Sequence, residues 1–376
     1  MNNVPNNKQL QEFSVVYTDR AVNHMSQEFQ QAMRDLSTLF KTVYHAEEVI
    51  LIPGSGTTAM EAVARQFARE KKCLCLRNGF FNFRWSQIFA QGHIPNEEFV
   101  LKAHALSREK KASFLPPSLE EVNKCILEKT PNLVFATHVE TSSGIMLSDE
   151  YIAAIAEKIH SMNGYLVLDC VASGARWIDM QALGVDILIT APQKCWSAPP
   201  SCGIVLLNKT IGSQLSHTTS DSFDLDLNQW LNIMRAYEQG KFAYYATMPT
   251  NALIALRNSM LEAQKIGFSY LKDRQLELGT KVRSLFKSKG FISVAAEQVA
   301  SPSIAVYYTD DPTIQNGQKW QEYGIQISSG VPLKCGEQEP FQTFRIGLLG
   351  WDKLNHIDQT VDTLKETLKE ICKEKN

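Results

Sequence analysis

The apolar positions of the chain form short unbroken runs and longer stretches with helical spacing. Runs rich in Val, Leu and Ile favour strands that are covered on both faces. Such runs are VILIP, CLCL, LVFA, YLVL and GIVLL. Between them, as over Ser26–Tyr44, apolar residues recur at helical spacing and predict amphipathic helices. Strands that alternate with helices predict an α/β fold with a mainly parallel, doubly wound sheet.

The pattern changes after about residue 264. A long charged helix is predicted over Phe268–Ser288, followed by the strands SIAVYY and TFRIGLLG and a terminal helix over Asp352–Lys373. We therefore predict an N-terminal arm over residues 1–20, a large domain over 21–264 and a smaller C-terminal α+β domain over 265–376.

Composition and charge narrow the class of protein. The 376 residues are 44% hydrophobic and 21% charged, which is typical of a soluble globular protein. A net charge of −2 gives no electrostatic reason to expect a nucleic acid or an anionic membrane as partner. No apolar run approaches the roughly 20 residues that span a bilayer. The start resembles no signal peptide, and the eight cysteines form no CxxC pair, so we predict reduced thiols in a cytoplasmic protein.

Two of the strand-like runs end close to an acid and a lysine. Tyr165–Leu168 is followed by Asp169, and Asp186–Ile189 leads through Thr190 into Lys194. Ligands of open α/β sheets gather at the carboxyl ends of strands, so the two side chains are expected to share one crevice. Such a pair suits pyridoxal phosphate (PLP), which needs a lysine for its aldehyde and an acid for its ring nitrogen. The alternative is a surface lysine and an Asp that caps a helix.

A glycine-rich turn lies between the first strand and the next helix. The segment Gly54–Thr58 reads GSGTT, and free N–H groups at such a helix start bind anions, typically phosphate. With Ala59 the turn also fits GxGxxA, so a dinucleotide fold is an alternative. That fold expects an acid after the next strand, where this chain has Arg77, which would tolerate the phosphate of NADP. A tight turn with a capped helix is the third interpretation.

Two further loops carry groups suited to a cofactor. The aromatics of Asn78–Trp85 are predicted in a loop, where one of them would stack on a flat ring, although aromatic clusters more often form core. The hydroxyls of Thr141, Ser142 and Ser143 end a strand and are suited to bind a ring hydroxyl or a phosphate, or else to cap a turn.

Near the C-terminus, Arg345 lies among apolar residues after a polar loop. A guanidinium in such a place suits bidentate binding of a carboxylate, or else pairs with Glu337 or Glu339. Cys335 lies in the same polar loop, either as an inert thiol or as a reactive one. The eight histidines show no metal-ligand spacing, so no metal site is predicted.

From about Ser26 onward, the chain resembles the class V aminotransferases, PLP enzymes of the alanine–glyoxylate and serine–pyruvate type. The motifs that carry the resemblance are APQKCWSAPP, VLDCVAS, ETSSG, YYATMPTNAL and FRIGLLG. The resemblance implies fold type I of the PLP-dependent transferases, a PLP cofactor and a homodimer.

The resemblance also assigns roles to individual residues. Lys194 would bind the cofactor aldehyde as a Schiff base, Asp169 would pair with the pyridinium nitrogen, and Arg345 would bind the substrate carboxylate. The other implied cofactor contacts are Ser55, Gly56, Thr57, Phe81, Thr141, Val171 and Gln193, with Tyr244 and Thr247 reaching the cofactor of the neighbouring subunit. The family commonly has His where this chain has Thr57.

The implied reaction moves an amino group between an alanine- or serine-type amino acid and a glyoxylate- or pyruvate-type 2-oxo acid. One departure concerns the substrate entrance, where the family usually has a Gly-Pro-rich turn and this chain has Tyr17–Asn23. A 2-aminoethylphosphonate–pyruvate transaminase and a cysteine desulfurase-like lyase using Cys335 are the alternatives. Gln193 and the double proline argue against the lyase. A catalytically idle scaffold with this fold is disfavoured by the intact lysine, acid and arginine.

Overall fold

The structure is a computed structural model and describes residues 10–373. Its first half alternates strands with helices, as the pattern predicts. In chain order the elements are α1 (Gln27–Tyr44), β1 (Glu48–Pro53), α2 (Gly56–Val63, continued by a π-helical turn, Ala64–Ala68), β2 (Lys72–Arg77), α3 (Phe80–Gly92), β3 (Glu97–Lys102), β4 (His104–Ala105), β5 (Phe114–Leu115), α4 (Leu119–Lys129), β6 (Leu133–Thr137), β7 (Val139–Glu140), β8 (Ile145–Met146), α5 (Asp149–His160), β9 (Tyr165–Asp169), α6 (Met180–Leu183), β10 (Ile187–Thr190), α7 (Pro192–Cys195) and β11 (Cys202–Leu207).

The second half is mainly helical and carries a small sheet. Its elements are α8 (Lys209–Gln214, followed by a 3₁₀ turn, Leu215–His217), α9 (Leu227–Glu238), α10 (Thr250–Ile266), α11 (Phe268–Ser288), a 3₁₀ turn (Glu297–Val299), β12 (Ile304–Tyr308), α12 (Pro312–Gln315), α13 (Gln318–Glu322), β13 (Ser328–Ser329), β14 (Thr343–Gly347), α14 (Trp351–Asn355) and α15 (Ile357–Lys373).

The main sheet has seven strands in the order β1-β11-β10-β9-β6-β2-β3. Strands β10, β9, β6, β2 and β3 run parallel, whereas β11 is antiparallel to both β10 and β1. Every residue of β6 and β10 is buried, which is why these strands read as unbroken apolar runs rather than alternating ones. The mainly parallel, doubly wound sheet is thus confirmed. Because β6, β9 and β10 are parallel neighbours, their carboxyl ends form one edge, and loops from that edge build the site.

The C-terminal part contains an antiparallel sheet in the order β12-β14-β13. Helix α11 has the predicted bounds, but the predicted terminal helix is wrong in one respect. It is two helices, because His356 takes a non-helical backbone conformation (φ −125°, ψ 54°). The break leaves both Leu354 and Ile357 buried in the core. The domain boundaries stay predictions, and the arm 1–20 lies partly outside the described residues.

All eight cysteines are free thiols, as the sequence predicts. Within residues 10–373, no group of His, Cys, Asp and Glu side chains is arranged to hold a metal ion. In the same part of the chain, no helix has the length and apolar character needed to cross a membrane. The cytoplasmic location stays a prediction.

Candidate active site

A pocket opens at the carboxyl ends of the parallel strands and brings together side chains that are distant in the sequence. It is bounded by the turn before α2, the first turns of α3, the ends of β6 and β9, and the short helix α7. Its polar and aromatic lining includes Ser55, Gly56, Thr57, Phe81, Arg84, Thr137, Thr141, Asp169, Gln193 and Lys194, and Val171 packs beside them. Every predicted cofactor contact except Tyr244 and Thr247 therefore lies on this pocket.

Asp169 is the last residue of β9, and its side chain is buried under the pocket. One carboxylate oxygen, Oδ1, accepts a hydrogen bond of 2.9 Å from the backbone N–H of Val171. Burial raises the pKa of Asp169 to about 6, although that hydrogen bond and the nearby cation of Lys194 both act to lower it. Asp169 thus has no ion-pair partner within the described residues. A cationic ligand group bound next to it would stabilise its ionised form.

Lys194 lies on α7, which begins with Pro192 at its first position, directly after β10. Its Nζ is 5.4 Å from the centre of the Phe81 ring. Burial lowers the pKa of Lys194, while the negative charge of Asp169 raises it. A lowered pKa leaves more of the amine neutral, and the neutral amine is the form that attacks a carbonyl.

The glycine turn before α2 uses several of its hydroxyls for its own structure. The Ser55 Oγ accepts from the Thr58 N–H (3.4 Å), and the Thr58 Oγ1 accepts from the Ser55 N–H (3.0 Å), which forms a capping box. A Cβ on Gly56 would lie only 2.9 Å from Val171 Cγ2, so only glycine lets the turn approach the pocket wall. The Thr57 hydroxyl is outside the capping box and accepts 2.7 Å from Arg84 Nη1.

Arg77, the residue that favoured a dinucleotide site, is not placed to contact a ligand in this pocket. Arg77 is buried, donates to Ser86 Oγ (2.6 Å) and lies 4.7 Å from the ring centre of Phe83. It is not part of the pocket lining. The guanidinium therefore stabilises the packing of α3 on the sheet and is not placed to receive a ribose phosphate.

Phe81 lies in the first turn of α3, not in a loop as predicted. Glu140, which is fully buried, holds this helix start: its carboxylate accepts from the N–H groups of Phe81 (3.2 Å) and Asn82 (3.0 Å). Sequence reasoning missed Glu140, since it considered only the hydroxyls of ETSSG. The sequence does contain a signal for Glu140. Helix α3 starts after a glycine, which has no side chain to cap the helix, and the aromatic segment that follows contains no Ser, Thr or Asp, so the cap has to come from elsewhere in the chain.

Of the three hydroxyl residues that follow Glu140, only Thr141 is among the described residues that line the pocket. Ser142 Oγ donates to Glu140 (2.7 Å) and accepts from the Phe80 N–H (2.8 Å), and Ser143 Oγ accepts from the Ile145 N–H (3.4 Å). Thr141 is 5% exposed, and its Oγ1 has no hydrogen-bond partner among the residues that the structure describes. A buried hydroxyl without a partner costs free energy, so a ligand with a polar group fits this position.

Arg345 lies in β14, near the Phe81 ring but not among the residues that line the pocket. Its Nε donates to the Ser329 carbonyl (2.8 Å), and its guanidinium carbon is 5.9 Å from the ring centre. Burial lowers the pKa of Arg345, and the charge of Glu140 opposes that shift. The alternative pairing with Glu337 is wrong, because that carboxylate accepts hydrogen bonds from the backbone of residues 333–335 instead.

Cys335 is not placed as a reactive thiol. Its Sγ donates to the Arg77 carbonyl (3.2 Å), and burial raises the pKa of this thiol to about 12. A thiol with so high a pKa is almost entirely protonated near neutral pH and is a poor nucleophile.

Tyr244 and Thr247 lie apart from the pocket of their own chain. Tyr244 is 54% exposed, and its hydroxyl lies 3.2 Å from Thr247 Oγ1. Tyr17, from the segment expected near the substrate entrance, donates to the Met248 carbonyl (3.2 Å), and the His24 ring lies 5.6 Å from Tyr244. The atypical N-terminal segment thus supports this exposed loop and does not line its own chain's pocket.

Comparisons with known proteins identify the family of the chain. The alanine–glyoxylate aminotransferase of Callithrix jacchus is 24% identical over 371 residues, covering 94% of this chain and 84% of that protein. The 2-aminoethylphosphonate–pyruvate transaminase of Vibrio vulnificus (strain YJ016) is 28% identical over 306 residues, with coverages of 80% and 78%. A solved alanine–glyoxylate aminotransferase from Nostoc sp. superposes with a TM-score of 0.77 at 20% identity, covering 93% of this chain and 89% of its own, which confirms the fold. The family described as Aminotransferase class-V matches residues 7–349, and the chain therefore belongs to the class V aminotransferases.

Proposed function

We propose that this chain is a PLP-dependent aminotransferase acting between a small amino acid of the alanine or serine type and a 2-oxo acid of the glyoxylate or pyruvate type. The observation that carries the proposal is the convergence of Lys194, Asp169 and the unpartnered Thr141 hydroxyl on one pocket beside Phe81. Asp169 lacks an ion-pair partner, the Thr141 hydroxyl lacks a hydrogen-bond partner, and the Lys194 amine has a lowered pKa. A single flat, phosphorylated, carbonyl-bearing ligand would provide a partner for each of them.

The residues present fit PLP. Gly56 lets the backbone approach a phosphate, Phe81 offers an apolar ring, and Asp169 offers a buried negative charge to a protonated ring nitrogen. When bound, PLP supplies an aldehyde and an electron-accepting ring. The thermodynamic benefit is mutual, because a cation in front of Asp169 would compensate the cost of burying that carboxylate.

The reaction then depends on three side chains of this chain. The Lys194 amine would take the proton from the substrate Cα as general base and return a proton as general acid. Burial keeps its pKa below the ordinary lysine value, which makes the neutral, proton-accepting form of the amine more available. Arg345 binds the substrate carboxylate and so orients the Cα–H bond for cleavage. Asp169 would offer its negative charge to the protonated ring nitrogen.

We further propose a homodimer in which Tyr244 and Thr247 complete the phosphate site of the partner. Support comes from their position: both are exposed, both are outside the pocket of their own chain, and their hydroxyls face each other at 3.2 Å. Gln193, which is exposed at the rim of the pocket, would contact the cofactor beside Lys194.

Within the same reaction class, 2-aminoethylphosphonate is the second candidate amino donor. It is favoured by the 28% identity to the Vibrio vulnificus transaminase, which acts on that compound by name. Cysteine desulfuration is disfavoured, because Cys335 is protonated and hydrogen-bonded to a backbone carbonyl.

The proposal is tested by loading the protein with PLP, reducing it with borohydride and mapping the labelled peptide. The label is expected on Lys194, absent from Lys194→Ala and unchanged in Lys71→Ala, a control at an exposed lysine. A panel of amino acids, including alanine, serine and 2-aminoethylphosphonate, is then tested for bleaching of the cofactor absorbance. A label on another lysine, or no bleaching and no oxo acid with any donor, would overturn the proposal.

A further inference from the structure

Arg84 is the one lining residue whose charge the proposed function leaves unused. It lies on α3 three residues after Phe81, so the two side chains share a helix face. Nη1 of Arg84 donates to Thr57 Oγ1 (2.7 Å), and the guanidinium carbon lies 5.3 Å from the centre of the Phe81 ring. No carboxylate among residues 10–373 forms an ion pair with Arg84.

The hydrogen bond from Arg84 decides what the Thr57 hydroxyl can do. A threonine hydroxyl has one hydrogen to donate and two lone pairs that accept. Since the guanidinium occupies one lone pair, the hydroxyl hydrogen is left to donate to another group. Thr57 lies at the start of α2, where the peptide dipoles already favour an anion. The pair therefore presents a donor and a full positive charge at one end of the pocket.

From this geometry we propose that Arg84 is a positioning residue for the cofactor phosphate, acting through Thr57. Thr57 stands at the position where the family commonly has a histidine, and Arg84 adds a positive charge beside it. Through its contact with Phe81, the same guanidinium also ties the phosphate end of the pocket to the ring-stacking residue. The inference rests on the proposed PLP function and deepens it by naming a phosphate-specific contact.

The charge of Arg84 has a second effect that agrees with this role. Burial raises the pKa of Asp169, and the charge of Arg84 is one of the influences that oppose this shift and so favour the ionised form that a cationic ring needs.

The test compares the affinity of the cofactor-free protein for pyridoxal 5′-phosphate and for pyridoxal, which lacks the phosphate, by visible circular dichroism. In Arg84→Met the affinity for pyridoxal 5′-phosphate should fall by about 10- to 100-fold, as expected for a charge-assisted hydrogen bond. The affinity for pyridoxal should change by less than about threefold, since its ring and aldehyde contacts remain. Arg84→Lys should keep part of the discrimination. Thr57→Ala combined with Arg84→Met should cost little more than either change alone, because both remove the same contact.

Arg77→Met is the matched control. It also removes a guanidinium that lies over an aromatic ring of α3, but outside the pocket. It should lower the thermal midpoint and leave the ratio of the two affinities as in the wild type. Equal losses for both ligands in Arg84→Met, or an unchanged ratio in both Arg84→Met and Arg84→Lys, would overturn the role of Arg84. A wild type that binds neither ligand would instead overturn the proposed function.

Discussion

The strand-end side of the site and the segment Tyr244–Thr247 differ in how completely this chain builds them. Asp169 and Thr141 are each 5% exposed and fixed by the ends of buried strands. Tyr244, in contrast, is 54% exposed and contacts Thr247 and the N-terminal segment, not the pocket. The first region is thus buried within one chain, while the second exposes its side chains to the outside. Because the Tyr244 and Thr247 hydroxyls do not reach the pocket of their own chain, we expect them to contribute to cofactor retention only in the pocket of a second copy.

The largest effect is expected from the buried side of the comparison, at Asp169→Asn. Turnover of the loaded enzyme should fall by about 100- to 1000-fold, as when one preorganised electrostatic partner is removed. The cofactor-free protein should instead become more stable at pH 7.5. Burial raises the pKa of Asp169 from 3.8 to about 6, so the folded state holds this proton more tightly than the unfolded state.

The sign of the pH dependence follows from that shift. The contribution of Asp169 to stability is present below about pH 4 and is lost as the pH rises through about 6. Asn has no such loss, so the cofactor-free variant should gain about 3 kcal/mol above pH 7 and almost nothing near pH 4. Urea unfolding at both pH values measures this. If the variant is less stable than the wild type at pH 7.5, Asp169 is not a buried acid whose ionisation destabilises the cofactor-free protein.

The second effect concerns Arg345, which lies near Phe81 of the buried region. Arg345→Ala should raise the KM for both amino and oxo acids by about 10- to 100-fold, because an ion pair to the carboxylate is lost in ground and transition states alike. Steady-state kinetics with alanine and glyoxylate check this. The KM values of Arg345→Lys should lie between those of the wild type and Arg345→Ala. A change in kcat alone, with KM unaltered, would place the substrate carboxylate elsewhere.

A smaller effect is expected on the exposed side. Tyr244→Phe and Thr247→Ala should each weaken PLP retention by about tenfold, since each removes a hydrogen bond to a charged group. A mixed dimer sharpens the comparison: one chain carries Lys194→Ala and the other carries both Tyr244→Phe and Thr247→Ala. If the loop acts across the interface, the two changes should fall in the same site and leave the other site intact. A monomer that binds PLP tightly and turns over would contradict shared sites.

The smallest effect is expected at Cys335→Ala, which should leave amino transfer within about twofold of the wild type. The thiol has a pKa of about 12 and donates to the Arg77 carbonyl, so it has no role in proton transfer. Parallel assays of alanine with glyoxylate, and of cysteine with a reductant, measure both reactions. Sulfide release that Cys335→Ala abolishes, without oxo acid from any donor, would favour the lyase.

The sequence by itself determined the features that depend on local order along the chain. Buried strands read as unbroken apolar runs, and the glycine turn between β1 and α2 follows from neighbouring residues. The positions of Asp169 and Lys194 near strand ends follow as well, because parallel strands place their carboxyl ends at one edge. These are short-range regularities, and the structure confirms them.

Only the tertiary structure determined which side chains at the carboxyl-end edge of the sheet are available to bind a ligand. Glu140 caps a helix whose first residues lie far away in the sequence, and that contact leaves Thr141 as the unpartnered hydroxyl. Arg84 of α3 donates to Thr57 of α2, and burial, not sequence context, makes Cys335 inert. Hydrogen-bond partners and desolvation depend on what packs against a residue from elsewhere in the chain. No local pattern specifies those neighbours, so the fold had to settle them.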